Sequence, residues 1–224
     1  VKSADFKWSL CINFRKNKNL MKKILLAVVA FTFSAATFAQ QPARTPSIEI
    51  GTAIPMADVS FKSVNSKPAS LNNLKTEKGL LVMFSCNTCP YVIKSQPRTK
   101  EIIAYAKEKG IGMIIVNSNE AQRDEEDSYE AMQVYAKKQG YKVPYVMDDQ
   151  SKLANAFGAN RTPEVFLFDN EGKLIYKGAM EDNPGEPTAS KEMFLKDAID
   201  NMLAHKPISP NSTRSVGCSI KRAS

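Results

Sequence analysis

The stretch Gly79-Leu80-Leu81-Val82-Met83-Phe84-Ser85-Cys86-Asn87-Thr88-Cys89-Pro90 decides the fold. Leu80 to Phe84 is an uninterrupted apolar run of strand length. Such a strand has no polar face to offer water, so it belongs in a sheet covered on both faces by helices. Gly79 opens the run. Two cysteines two residues apart close it, where a helical pattern begins.

Working outward, Ile48 to Val64 alternates loosely and contains Gly51 and Pro55, which reads as short strands forming an N-terminal β extension. Ala69 to Leu74 reads as one helical turn. After the cysteines a helix is predicted to Lys109, broken or kinked at Pro97, because proline lacks a donor and clashes with the preceding turn. Gly110 ends it. Ile111 to Val116 is a second buried strand. Asp124 to Gln139 reads as a helix with acids in its first turn and Lys137 and Lys138 in its last, a charge order that suits the helix dipole. The run Asp124-Glu125-Glu126-Asp127 could suggest a metal site, but a solvated helix start explains it. Pro144 to Met147 is a third strand. Ser151 caps a short helix stopped by Gly158. Glu164 to Phe168 and Leu174 to Tyr176 form a hairpin about Asp169-Asn170-Glu171-Gly172. Ser190 to Ala204 is a last helix, followed by a polar tail. The order implies a single α/β domain over 48–205, a mixed sheet flanked by helices on both faces, and a C-terminal tail over 206–224.

The N-terminus changes the charge arithmetic. From Met21, Lys22 and Lys23 precede an apolar stretch from Ile24 to Phe38, and Thr37-Phe38-Ala39 offers small residues where a signal peptidase reads. Residues 21–39 therefore read as a signal peptide, too short for a span of ~20 residues. Residues 1–20 read as an over-long gene start. The whole chain has 31 basic and 23 acidic residues, net +8. Residues 1–39 carry seven of the basic residues and one of the acidic ones, so the remainder is near +2. That balance gives no support to nucleic-acid binding. The expected location is the bacterial periplasm, with no membrane attachment after cleavage. Cys86, Cys89 and Cys218 remain in the mature part, which suggests one pair and one left over.

Two thiols at the Cys86–Cys89 spacing can close a small disulfide ring at a helix start. A thiolate on the first sulfur is favoured by the positive end of the helix dipole, so its pKa is expected to fall from about 8.5 to roughly 3.5–7.5. Cys86 then attacks a substrate disulfide and Cys89 resolves the mixed disulfide. Half a zinc site is the other reading of such a pair. It needs further ligands, and only Cys218 and His205 are on offer, far downstream and without paired spacing. No His or Met cluster accompanies the pair to suggest copper. No metal or cofactor is expected.

The pieces Phe84-Ser85-Cys86-Asn87-Thr88-Cys89-Pro90-Tyr91-Val92, Val116-Asn117-Ser118-Asn119, Arg161-Thr162-Pro163, Phe166-Leu167-Phe168-Asp169 with Gly172-Lys173-Leu174, and Gly217-Cys218-Ser219-Ile220-Lys221 resemble the thioredoxin superfamily. Within it they resemble the redoxin branch (alkyl hydroperoxide reductase/thiol-specific antioxidant), in a subgroup whose motif reads CNxCPYV. The resemblance spans Ile48 to Lys221. It implies a thioredoxin fold, a redox-active disulfide at Cys86 and Cys89, and a cis-proline at Pro163 that turns the Thr162 backbone toward substrate. The implied partners are protein disulfide or thiol substrates and an upstream thiol donor.

The chain departs from the pattern in three places. Thr88 stands where the subgroup often has histidine, so a strongly oxidising potential is not expected. Ser85 replaces the tryptophan that often precedes a thioredoxin-type pair. Leu80 occupies the position of thioredoxin's buried carboxylate, so proton transfer needs another group or water. The alternative function is a thiol peroxidase with Cys86 as peroxidatic residue, but the frame Pro-x-x-x-Thr-x-x-Cys is absent, with Met83 and Gly79 at its key positions. Cys218 is the candidate third redox cysteine. The plainer expectation is a tail thiol packed as a small hydrophobe; the sharper one is a tail that folds back on the site.

Overall fold

The computed structural model describes residues 45–223. The segments read as gene start and signal, 1–39, lie outside the described residues. In chain order the elements are α1 (Leu71–Leu74), β1 (Leu80–Ser85), α2 (Pro90–Lys94), α3 (Gln96–Lys109), β2 (Gly112–Asn117), α4 (Tyr129–Gln139), β3 (Tyr145–Met147), α5 (Lys152–Phe157), β4 (Arg161–Thr162), β5 (Glu164–Phe168), β6 (Leu174–Gly178), α6 (Phe194–Leu203) and β7 (Cys218–Ser219).

Five strands form one mixed sheet in the order β3-β2-β1-β5-β6. β1, β2 and β3 are parallel, while β5 pairs antiparallel with both β1 and β6. All six residues of β1 are buried, as its unbroken apolar run requires. Because side chains alternate across a strand, Leu81 and Met83 enter one core with Ile102 and Ala106 of α3, Met132 of α4, and Leu195 and Ile199 of α6. Leu80, Val82 and Phe84 enter the other, with Leu71 of α1 and Leu153 and Phe157 of α5. Each such side chain contributes about 1.5–3 kcal/mol when fully buried. The second core is aromatic: Phe157 meets Phe84, Phe166 and Phe168 edge-on at centroid distances of 5.4, 5.1 and 5.7 Å. Gly79 enters β1 at φ +110°, and a Cβ there would lie 2.2 Å from the Phe168 carbonyl oxygen. The turn into the central strand therefore excludes any larger residue.

Several elements differ from expectation, each for a local reason. The N-terminal β extension consists of isolated bridges at Ala53, Phe61 and Ser63, not of strands. The break after the cysteines is centred on Ser95, and Pro97 sits in the first turn of α3. Pro97 has no N–H to give the Ile93 carbonyl, and the Ser95 N–H goes to Tyr91 O at 2.9 Å as α2 ends. α4 starts at Tyr129, where the Ser128 side chain accepts the Ala131 N–H. The acids 124–127 therefore precede the helix. α6 starts at Phe194, four residues later than expected. Ser151 makes no cap: its φ is +52° and its hydroxyl donates to Ser118 O. Asp148 caps α5 instead, accepting from the Leu153 and Ala154 amides at 2.8 and 2.9 Å.

The residues read as a polar tail carry structure too. β7 pairs antiparallel with β4, placing Cys218 opposite Thr162. Ile220 is buried in the aromatic core.

Candidate active site

Cys86 follows the carboxyl end of β1, the end of a parallel strand where open α/β sheets gather their sites. The helix after it starts only at Pro90, so Cys89, not Cys86, holds the N-cap position. This alters the expected electrostatics. The Cys86 thiol is pushed well above its ordinary value, first by its hydrogen bond to Cys89, then by burial. Cys89 is brought down to about 4, first by accepting that hydrogen bond, with further help from Cys218 and the Val92 amide. The Val92 N–H favours charge on the sulfur without forming a full capping bond. The two sulfurs thus share one proton, and the helix start steadies the charge on the second cysteine.

Thr162 covers both sulfurs. Its hydroxyl lies 3.5 Å from Cys86 Sγ, and its carbonyl oxygen lies 3.3 Å from Cys89 Sγ. The Thr162–Pro163 peptide is cis. The residues picked from the resemblance, Cys86, Cys89, Thr162 and Pro163, thus come together. Cys86 and Cys89 are 2% and 4% exposed, whereas Cys218 is half-buried and packs against them and Val92. Burial, followed by the neighbouring Cys89, raises the Cys218 thiol to about 11, while Lys221 pulls the other way. His205 sits at the exposed end of α6. Met83, where a peroxidatic threonine would stand, is an apolar side chain buried in the core. Among the described residues, no group of three or more His, Cys, Asp or Glu side chains is arranged to hold a metal ion.

The residue missed in the sequence is Asp127. Read as part of a solvated helix start, it is fully buried. Its Oδ1 accepts the Asn87 backbone N–H at 2.9 Å and Asn117 Nδ2 at 2.6 Å; its Oδ2 accepts Asn119 Nδ2 at 2.8 Å. Asn87 is held from its side chain as well, donating to Glu126 O and accepting from the Tyr145 hydroxyl, at 2.7 and 2.9 Å. The loop between the cysteines is thereby fixed at three points. The amide-rich Asn117-Ser118-Asn119 at the end of β2 was the available clue, since buried amides need acceptors.

The family model described as Redoxin matches residues 49–193. Thiol-disulfide oxidoreductase ResA of Bacillus thuringiensis (strain Al Hakam) is 28% identical over 187 residues, covering 81% of this chain and 97% of its own. A solved hypothetical protein of Sinorhizobium meliloti 1021 is 31% identical with a TM-score of 0.71, covering 80% of this chain and 97% of its own. A thioredoxin-like protein solved in its oxidised form shares the fold at a TM-score of 0.53 and 17% identity, covering 70% of this chain and 97% of its own. With the thiol pair, the threonine over it and the sheet that carries both, these matches lead to one conclusion: the chain belongs to the Redoxin family.

Proposed function

We propose that Cys86 and Cys89 exchange disulfides with protein substrates, Cys86 as nucleophile and Cys89 as resolving thiol. The chain is a thiol–disulfide oxidoreductase. The observation that supports this assignment of roles is the seating of both sulfurs under Thr162, whose hydroxyl lies 3.5 Å from Cys86 Sγ and whose carbonyl oxygen lies 3.3 Å from Cys89 Sγ. As Cys86 attacks a substrate disulfide, its S–H bond breaks and the proton goes to the departing substrate sulfur, which leaves as a thiol. The Cys89 thiolate then attacks Cys86, forming the internal disulfide and releasing the second substrate sulfur as thiolate. The substrate gains two electrons and the pair loses two.

Tyr91, Ile93 and Val216 expose apolar surface around the pair, a feature suited to an unfolded or extended protein partner. Thr88 between the cysteines offers no cationic group to steady a thiolate, which favours reduction over oxidation as the working direction. The motif Cys86-Asn87-Thr88-Cys89-Pro90-Tyr91-Val92 supports membership of the CNxCPYV subgroup. The signal over 21–39 supports work in the periplasm with an upstream thiol donor. No helix of the described residues is long and apolar enough to cross a membrane.

The test is reduction of insulin disulfides by three chains. Cys86→Ser should abolish it. Cys89→Ser should leave the first attack and trap a mixed disulfide. Rapid peroxide consumption through a Cys86 sulfenic acid, with negligible insulin reduction, would favour the peroxidase and antioxidant reading instead.

A further inference from the structure

β7 places a third sulfur at the pair. Thr162 and Cys218 stand directly opposite in the β4–β7 ladder. Directly opposed residues of an antiparallel pair point to the same face, with Cβ atoms about 4.5–5.5 Å apart. The Thr162 hydroxyl faces Cys86 Sγ at 3.5 Å, so the ladder aims Cys218 at the same cluster. Contact with Cys86, Cys89 and Val92 follows from that register.

The segment is anchored on both sides of Cys218. Arg161 donates to Gly217 O at 3.0 Å, the Lys221 N–H to Asn119 Oδ1 at 2.9 Å, and the Ala121 N–H to Lys221 O at 2.8 Å. A Cβ at Gly217 would lie 2.1 Å from Thr162 O, so the strand fits only because glycine lets the backbones approach. Of the three sulfur residues, Cys218 alone is not buried.

We propose that Cys218 is the donor-facing thiol of a three-cysteine relay: it attacks Cys89 in the oxidised Cys86–Cys89 pair and moves the disulfide to Cys89–Cys218. This rests on the Cys86–Cys89 reading above. In the step, the Cys218–Cys89 bond forms and the Cys89–Cys86 bond breaks. The proton lost by Cys218 ends on Cys86, and no electrons are gained or lost. A dithiol protein then attacks the half-buried Cys218 and releases Cys89 as thiolate. The second donor thiol displaces Cys218, leaving the donor oxidised to a disulfide and the chain reduced. Substrate and donor thus meet different sulfurs. Cys89 is the atom attacked because Cys218 packs against the pair from the position opposite Thr162, whose carbonyl oxygen lies 3.3 Å from Cys89 Sγ. Burial first, and then the neighbouring Cys89, raise the Cys218 thiol in the reduced protein; once Cys89 enters a disulfide only its part of that shift is lost.

The test begins with Cys86→Ser, which leaves only Cys89 and Cys218 at the site. Treated with oxidised glutathione, the folded variant should lose both alkylatable thiols and yield a Cys89–Cys218 crosslink on peptide mapping. The oxidised wild-type chain should yield the same crosslink beside Cys86–Cys89. In Cys218→Ser, reduction of the oxidised pair by reduced thioredoxin should slow about tenfold or more, because the accessible sulfur is gone. Glutathione adducts on both cysteines of Cys86→Ser, with only Cys86–Cys89 in the wild type, would overturn the relay. So would an unchanged reduction rate in Cys218→Ser with an unchanged melting temperature. Insulin reduction by the wild-type chain is read separately. If it fails while the Cys89–Cys218 crosslink forms, the substrate role of Cys86 falls; if it succeeds without the crosslink, only the relay does.

Discussion

Replacing Asp127 with asparagine tests the view that this buried carboxylate builds the loop between the cysteines. Asparagine keeps one acceptor oxygen and turns the other into a donor. If its oxygen stays on Asn87 N–H and Asn117 Nδ2, its NH2 faces the Asn119 NH2. Asn119 cannot turn to relieve this without losing the Lys221 N–H that its Oδ1 accepts. If the new amide is reversed, its NH2 meets both the Asn87 backbone N–H, which cannot turn at all, and Asn117 Nδ2. At least one bond to a charged acceptor is therefore lost, and donors are left opposing each other. A hydrogen bond to a charged group is worth about 1.5–3 kcal/mol, so Asp127→Asn should cost about 2–4 kcal/mol. For a domain of this size each kcal/mol lowers Tm by about 2–4 °C. Urea unfolding should show the loss as a lower midpoint with an unchanged slope. A second readout concerns charge: Asp127 contributes to the raised Cys86 thiol, so its neutralisation should speed alkylation of Cys86. A loss below about 0.5 kcal/mol together with unchanged Cys86 alkylation would refute the reasoning.

Three further outcomes are expected. In the reduced protein, thiolate absorbance at 240 nm should persist as pH falls and disappear around the Cys89 value of about 4. The sign is that of a depressed acid, charged above its pKa; Cys89→Ser should remove this low transition, and a wild-type midpoint near 8–9 would contradict the shared proton. Gly217→Ala should force β7 away from the Thr162 carbonyl, cost about 1–3 kcal/mol and speed alkylation of Cys218 in the folded protein, with neither change seen if the close approach is unimportant. Mass spectrometry of the chain from its own cell envelope should find Gln40 or pyroglutamate at the N-terminus; a chain retaining residues 21–39 would defeat the periplasmic reading.

β1 could be read from its sequence because both of its faces are covered, so Leu80 to Phe84 carries no polar interruption to misread. Cys86, Cys89, Thr162 and Pro163 could be read because their motifs are local. Asp127 could not. Its partner Asn87 lies 40 residues away, and four consecutive acids look the same whether they face water or a ring of amides. The place of the pair relative to the helix start departs from the sequence reading for a related reason. Pro90 at the first helical position leaves Cys89 as the cap, a shift of three residues that moves the helix dipole from one sulfur to the other. α4 and α6 begin later than their sequence pattern suggests, because charged and polar flanks continue a helical pattern that tertiary contacts cut short. The fold-back of the tail left no periodic trace: its ladder is two residues long, and its anchors use mostly its backbone, with Gly217 O and Lys221 O accepting and the Lys221 N–H donating.

The β4–β7 ladder also imposes an order in time. Arg161 and Gly217, which brace it, are 56 residues apart in the chain. Cys86 and Cys89 emerge during synthesis well before the residues that roof them, by on the order of ten seconds at translation rates of roughly 5–20 residues/s. Throughout that interval the nascent polypeptide presents its two redox sulfurs without their cover, open to pairing with whatever thiol or disulfide passes. A compartment that supplies oxidant early would therefore catch the pair before its third partner has been made, and the newly finished molecule would begin its life already carrying one internal bond.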